Sequence, residues 1–310
     1  MSTRSTPSTL PALLAVMTTA VLWGTTGTAA TLSDGVGPLA TGAAALGIGG
    51  ILQALIALPY LRHHRDTLRD RWGMVVLGTL AVVVYPLTFY SSMHLAGVAV
   101  GTVVSLASAP LFAGLLEWGT TRRPPSRHWF FALVPGVVGA VLLCTSHGGE
   151  SGTVNADGVV PGVLLGLPAG ASYALYSWVS FQLMVTTSGR PVSRGAAMGS
   201  VFGLGGLMLL PVLAVTGGPV LDSWQNVGVA TYMALVPMFL GYVLFGYGLT
   251  RLDPSTATTV TLLEPAVAAL LAVVVVGEQL SGSGWVGMAC VALALVVLVA
   301  PRPRTRRGRG

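Results

Sequence analysis

The chain has 310 residues, 53% of them hydrophobic and only 8% charged, against about a quarter charged in ordinary soluble domains. Its 16 arginines and 10 acids cannot cover the water-facing surface of a soluble protein of this length, so lipid has to do the solvating. The net charge of +6 comes from arginine alone, and its placement marks a membrane topology rather than a nucleic-acid-binding surface.

Apolar runs long enough to cross a ~30 Å hydrocarbon core recur ten times, near residues 10–31, 38–60, 73–92, 97–118, 129–146, 159–184, 196–216, 228–248, 254–277 and 284–300. The first carries Thr19, Trp23 and Thr26 at helical spacing. The third carries Tyr85, Thr88 and Ser92, with Pro86 inside it, and the fourth carries Gly101, Ser105 and Ser108, with Pro110 inside it. Gly162, Gly166 and Gly170 in the sixth run, and Gly199 and Gly203 in the seventh, permit close helix contact. The sixth also aligns Tyr173, Tyr176, Ser177 and Ser180 on one face. Pro237 interrupts the eighth run; the ninth opens with Asp253 as a helix cap and Pro254 in the first turn, then aligns Ala257, Thr261 and Glu264 ahead of Pro265.

With the N-terminus placed in the cytoplasm, all 16 arginines fall on inner segments: Arg4, Arg62–Arg71, Arg122–Arg127, Arg190 and Arg194, Arg251, and Arg302–Arg309. The outer loops hold only Asp34, Glu150, Asp157, Asp222 and Glu278. That distribution obeys the positive-inside rule and puts both termini in the cytoplasm. The first run reads as a retained span, since its cleavage would reverse the pattern. Arginine without lysine points to a GC-rich bacterial genome, and so to the bacterial cytoplasmic (inner) membrane. Residues 302–310 read as a basic tail facing lipid headgroups. Cys144 and Cys290 lie inside apolar runs, and the histidines lack ligand spacing, so no disulfide, metal site or cofactor is expected.

The two halves of the chain repeat weakly at an offset of 155 residues: Ser105–Pro110 falls on Val260–Pro265. Residues 1–150 and 151–301 then hold five runs each, and an odd number forces the second copy into the membrane upside down. The expected fold is all-α, a ten-helix five-plus-five inverted repeat with a solute site near the midplane. Chance likeness between two bundles rich in small residues is the alternative.

Pro110 and Pro265 lack an amide hydrogen and crowd the carbonyls of Leu106 and Thr261. Both are expected to kink their helices, as are Pro86 and Pro237, and a freed carbonyl is tolerated in hydrocarbon only beside protein or a water-filled cavity. One carboxyl group, Glu264, lies near the middle of a run. Ionised there it costs about 2.5–3.5 kcal/mol on insertion scales, so it needs a proton, a partner or water. It reads as a proton-binding switch, as the counter-charge for a solute amine, or as a hydrogen-bonded brace for the Pro265 kink. The hydroxyl stripes read singly as interhelical glue and together as the wall of a mildly polar cavity. Candidate binding or coupling residues are Glu264, Thr261, Trp23, Thr26, Tyr85, Ser105, Ser108, Tyr173, Tyr176 and Ser177. Glu117 and Glu278 read as interfacial anchors.

Leu22-Trp23-Gly24, the stretch from Thr256 to Leu263-Glu264-Pro265, Gly277-Glu278 and Gly284-Trp285-Val286-Gly287 together resemble the drug/metabolite transporter superfamily, of the bacterial EamA type. The resemblance implies efflux of amino acids, related metabolites or toxic compounds through a central cavity. The halves are not equivalent: Ala109-Pro110 stands where the second half has Glu264-Pro265, and Arg123 where it has Glu278. The expected activity is secondary export of a small solute by alternating access, with protons as the candidate coupling ion. An uncoupled facilitator or channel-like permease is the alternative. A membrane-embedded enzyme is disfavoured by the single intramembrane acid, and an ATP-driven pump by the lack of a phosphate-binding loop.

Overall fold

The computed structural model describes residues 9–30, 32–96, 98–122, 124–147, 156–185, 190–271, 273–274 and 281–299. Arg4, Arg123, Glu150, Glu278 and the basic tail 302–310 lie outside the described residues, as do the side chains of Cys144 and Asp157. Helix dominates, and no strand occurs among the described residues.

The helices in chain order are α1 (Leu10–Ala30), α2 (Pro38–His63), α3 (Trp72–Ala96), α4 (Val98–Thr121), α5 (Arg127–His147), α6 (Ala156–Met184), α7 (Arg194–Thr216), α8 (Trp224–Gly248), α9 (Pro254–Val260), α10 (Leu263–Leu271) and α11 (Gly282–Val299). Six of the described helices, α1 to α4, α7 and α8, are long and apolar enough to cross a membrane. Two of them, α7 and α8, start on ordinary side-chain caps. Ser193 accepts the Ala196 amide at the start of α7, and Ser223 accepts the Asn226 amide at the start of α8.

The prolines act differently from one another. Pro86 and Pro110 sit within helix that continues on both sides of them. Pro237 lies in a π-helical stretch, Ala234–Leu240, inside α8; a second such stretch, Ala43–Gly47, lies in α2. At Pro265 the helix does break, at Thr261 and Leu262, which separates α9 from α10. The Thr261 carbonyl that Pro265 cannot serve accepts the Glu264 amide instead, in a tight turn of 2.9 Å.

Packing follows the small residues. α6 lies against α3 and α4, α5 against α11, and α2 against α7. In α6, Cβ atoms added at Gly162, Gly166 and Gly170 would collide with Ala96, with Val104 and Ser92, and with Ser105 and Ser108. The α2–α7 seam brings backbone onto backbone: a Cβ on Gly206 would sit 2.5 Å from the Gly47 carbonyl oxygen and 2.9 Å from the Ile51 nitrogen. At the arginine-bearing end, Arg71 donates to the Gln182 and Leu183 carbonyls at 2.7 and 3.2 Å, which serves two carbonyls of the last turn of α6.

Gly206→Ala is expected to push the α2–α7 backbones apart, at a cost of about 1–3 kcal/mol for overpacking. Gly27→Ala, where an added Cβ meets nothing within 4 Å, is the matched control. Unfolding of the purified variants in detergent checks both, and equal stability would contradict the backbone contact.

Candidate functional site

Four irregular backbone segments converge at the centre of the bundle: the Thr25 turn in α1, the π-helical stretches of α2 and α8, and the α9–α10 break. The Thr25 hydroxyl donates to the Leu22 carbonyl at 2.6 Å and accepts from the Tyr232 hydroxyl at 2.7 Å. One residue earlier, a Cβ on Gly24 would lie 2.8 Å from Val267 Cβ and 3.0 Å from the Glu264 carbonyl oxygen. Glycine at that position therefore lets α1 rest on the backbone of the Glu264-Pro265 turn. Two short motifs 240 residues apart in number (Trp23-Gly24 and Glu264-Pro265, 24 and 264) are thus one contact in space.

Trp23 is buried, and its indole N–H donates to the Pro237 carbonyl at 2.9 Å. Its ring lies 4.9 Å from that of Tyr242 and 5.8 Å from that of Tyr173. Tyr173 in turn reaches the helix break. The Thr261 hydroxyl donates to the Thr258 carbonyl at 2.9 Å, so the Tyr173 hydroxyl is the donor in their 2.8 Å contact. Tyr176 and Tyr242 pair through their hydroxyls at 2.8 Å. The rings of Tyr85, Tyr173, Tyr176, Phe202, Tyr242 and Phe245 complete a continuous edge-to-face and tilted cluster, an arrangement that favours close aromatic packing.

In front of this cluster lies a central cavity lined by Trp23 and Thr26 of α1, Gly42, Ala45 and Leu46 of α2, Tyr85, Pro86, Phe89 and Tyr90 of α3, Met238 and Tyr242 of α8, and Glu264 of α10. Its free volume is about 10 Å³, room for about one water and far below a ligand pocket of about 300–1,000 Å³. The chamber therefore has no room for a solute as it stands. Glu264 is 9% exposed; no hydrogen bond among the described residues reaches its carboxyl group, and no arginine or histidine lines the cavity.

The structure thus brings Trp23, Thr26, Tyr85, Pro86 and Glu264 together around one cavity. Thr261, Tyr173 and Tyr176 stand directly behind it. Ser105 and Ser108 are not among the lining residues: the Ser108 hydroxyl and the Ser105 carbonyl face Gly170 across the α4–α6 contact, where Ser108 donates to that carbonyl at 3.2 Å, and the buried Ser105 hydroxyl has no partner among the described residues. Ser177 donates to the Tyr173 carbonyl within α6, and Pro110 lies outside the lining. Phe89, Tyr90, Met238 and Tyr242 were not read from the sequence as lining residues. A signal for them exists, because Tyr90 follows Pro86 by four residues and Tyr242 follows Pro237 by five, the extra residue being taken up by the π-helical stretch.

Glu117 is more than an interfacial anchor. Its two carboxylate oxygens accept the Ser255 amide at 2.7 Å and the Ser255 hydroxyl at 2.8 Å. The cap of α9 therefore comes from α4, in place of the local cap expected from Asp253. Trp129 of α5 adds a bond from its indole N–H to the Thr259 hydroxyl oxygen at 3.1 Å.

A bundle of apolar helices packed around an aromatic chamber with one unpaired carboxyl group has the form of a membrane transport protein. Comparison with known proteins fixes the family. The model of the EamA-like transporter family matches residues 10–145 and again residues 160–300, and the chain belongs to that family, within the drug/metabolite transporter superfamily. It is 35% identical over 283 residues to the uncharacterized transporter YwfM of Bacillus subtilis, covering 91% of each chain. It is 30% identical to protein PecM of Dickeya dadantii, covering 72% of each. The threonine/homoserine exporter RhtA of Escherichia coli is 28% identical, with 90% of this chain and 88% of that one covered. A crystal structure at 21% identity shares the fold, with a TM-score of 0.74 over 93% of this chain and 96% of the other.

Trp23→Phe keeps the ring cluster but removes the donor to the Pro237 carbonyl. The expected loss is about 1–3 kcal/mol of stability, the cost of an unserved buried acceptor, read as a lower unfolding midpoint in detergent. An unchanged midpoint would mean that the indole N–H does not hold α1 to α8.

Proposed function

We propose that the protein is a secondary transporter that exports a small metabolite, an amino acid or related compound or a drug, by alternating access around the Glu264 chamber. The chain crosses a bacterial inner membrane ten times with both termini in the cytoplasm. Residues 1–150 and 151–301 act as two oppositely inserted halves, followed by the basic tail 302–310. The substrate is a small solute, and the activity is transport rather than bond-making chemistry.

The pattern of helix contacts supports the inverted pairing. Exchanging the first run with the sixth, the second with the seventh and so on maps the α3–α6 contact onto that of α8 with α1. It likewise maps α4–α6 onto the contact of α9 and α10 with α1, and α3–α7 onto α8–α2; all of these contacts are present. Contacts between exchange partners themselves, α2–α7, α4–α9 and α5–α11, lie along the expected axis.

The observation that carries the reading is Glu264 itself. A carboxyl group in a chamber with no cation beside it is stable when neutralised by a proton or by the amine of a bound solute. Either event can bias the halves toward one opening, provided the two states differ in their affinity for that ligand. The chamber has room for about one water, so admitting a solute requires the halves to move. Export as the direction is supported by the name of RhtA, a threonine/homoserine exporter.

Transport into and out of proteoliposomes tests this. An inward proton gradient is expected to drive solute efflux by the wild type. Glu264→Gln, which can neither hold a proton nor pair with a solute amine, is expected to lose solute counterflow, gradient-driven movement and pH dependence together. Gradient-driven transport that survives in Glu264→Gln would remove the proton role. An uncoupled facilitator would show saturable counterflow with no response to the gradient in either protein.

A further inference from the structure

A second cavity, of about 240 Å³, opens sideways between α2, α7 and α8 at the arginine-bearing end of the bundle. At its floor is Gln53, 2% exposed, whose amide nitrogen has no hydrogen-bond partner. Ile56, Tyr60 and Met198 form the walls, and Ser193 and Arg194, the first residues of α7, form the mouth. Arg194 and Arg251 both lie over the ring of Tyr247, at 5.4 and 5.2 Å. Arg251 also donates to the Tyr247 hydroxyl at 2.7 Å. Neither arginine forms an ion pair among the described residues, where the ion pair present is Arg65–Asp66.

Each of these features asks for the same kind of molecule. A buried amide N–H without a partner is costly and calls for an acceptor inside the pocket. Two guanidinium groups held at one aromatic ring, neither in an ion pair among the described residues, raise the positive potential near the mouth and favour an anion there. The start of α7 adds the positive end of a helix at that point. Ile56 and Tyr60 are more than half exposed, at 55% and 52%, on the side that faces lipid in a membrane. The anion-binding end and the acceptor-seeking floor are joined by an apolar wall.

We propose that this cavity binds one acidic phospholipid from the arginine-side leaflet. The phosphodiester rests on Arg194 and Ser193, an ester carbonyl accepts the Gln53 amide, and the acyl chains leave past Ile56 into the bilayer. Basic pockets between membrane helices are a known way of holding anionic headgroups. Here the Gln53 floor distinguishes a seated lipid from a loose basic belt. The site is independent of the Glu264 chamber and requires only that the bundle is embedded with its arginine end at the headgroups.

Native mass spectrometry of the full chain, released from phosphatidylcholine nanodiscs doped with phosphatidylglycerol, tests the assignment. The wild type is expected to retain one phosphatidylglycerol. Arg194→Gln and Gln53→Leu are each expected to lower that retention by about tenfold, the effect of losing one hydrogen bond to a charged or buried polar group. Arg62→Gln, an exposed arginine at the same end but outside the pocket, is expected to change nothing. Circular dichroism and gel filtration establish that each variant is folded; if Gln53→Leu aggregates, Gln53→Glu sets a like charge against the anion and carries the same expectation. Equal loss in all three variants would overturn the proposal in favour of a diffuse basic surface. Undiminished retention in Arg194→Gln and Gln53→Leu would overturn it outright. Displacement of the lipid by inorganic phosphate or glycerol phosphate at equal concentration would reassign the pocket to a free anion.

Discussion

Pro265 has no backbone hydrogen to give, so the Thr261 carbonyl must find a donor inside an apolar bundle. It finds the Glu264 amide, and that single substitution of a tight turn for a helical bond breaks the ninth apolar run in two. The other features of the centre depend on this break. Thr261, freed from the regular helix, receives the hydroxyl of Tyr173, which locks α6 to the turn. Gly24 allows α1 to lie on the turn's backbone, and Trp23 ties α1 to the π-helical stretch of α8. Glu264 is carried at the start of a fresh helix, α10, and aimed into the chamber that these contacts enclose.

Irregular backbone in a membrane protein persists only where something satisfies it, and here the Thr25 turn, the π-helical stretch of α8 and the α9–α10 break are each tied to a side chain from another helix. That makes the centre a set of mutual dependencies between the two halves of the chain. The same logic holds at the arginine-bearing end, where Glu117 of α4 caps α9 and Arg71 caps α6. The long seams away from the centre are of a different kind. The α2–α7 contact is made largely of glycine against backbone and alanine, which fixes the distance between the two helices.

Much of this was legible in the sequence because it rests on scarcity. A lone carboxyl group in the middle of an apolar run has few reasons to be there, so Glu264 stood out, and Trp23-Gly24 and Glu264-Pro265 were recognisable as motifs. The arginine distribution and the glycine spacing of α6 and α7 could be read in the same way. What was hidden is what depends on partners far away in the chain. Nothing near Glu117 indicates that it caps a helix 138 residues later, and a capping carboxylate looks like an anchor until its partner is known. Phe89, Tyr90 and Tyr242 are aromatic residues in apolar runs, where facing lipid and facing a cavity demand the same composition. Ser105 and Ser108 fail for the converse reason: a hydroxyl stripe suits a cavity wall and a close helix contact equally well, and Gly170 decides for contact. The π-helical stretches leave no composition of their own, and their effect appears only as a one-residue slip between Pro86–Tyr90 and Pro237–Tyr242.

The most direct test of the account is whether the chamber at Glu264 is where solute binds. Thermal unfolding of the purified protein would be recorded against a panel of amino acids, amines, nucleosides and cationic drugs, for the wild type and Glu264→Gln. A solute that binds only the folded state raises its apparent stability by mass action. The account predicts a saturable rise with at least one amine-bearing solute in the wild type that is absent in Glu264→Gln. A rise of equal size and midpoint in both proteins would contradict it, and would reduce Glu264 to a brace for the Pro265 turn.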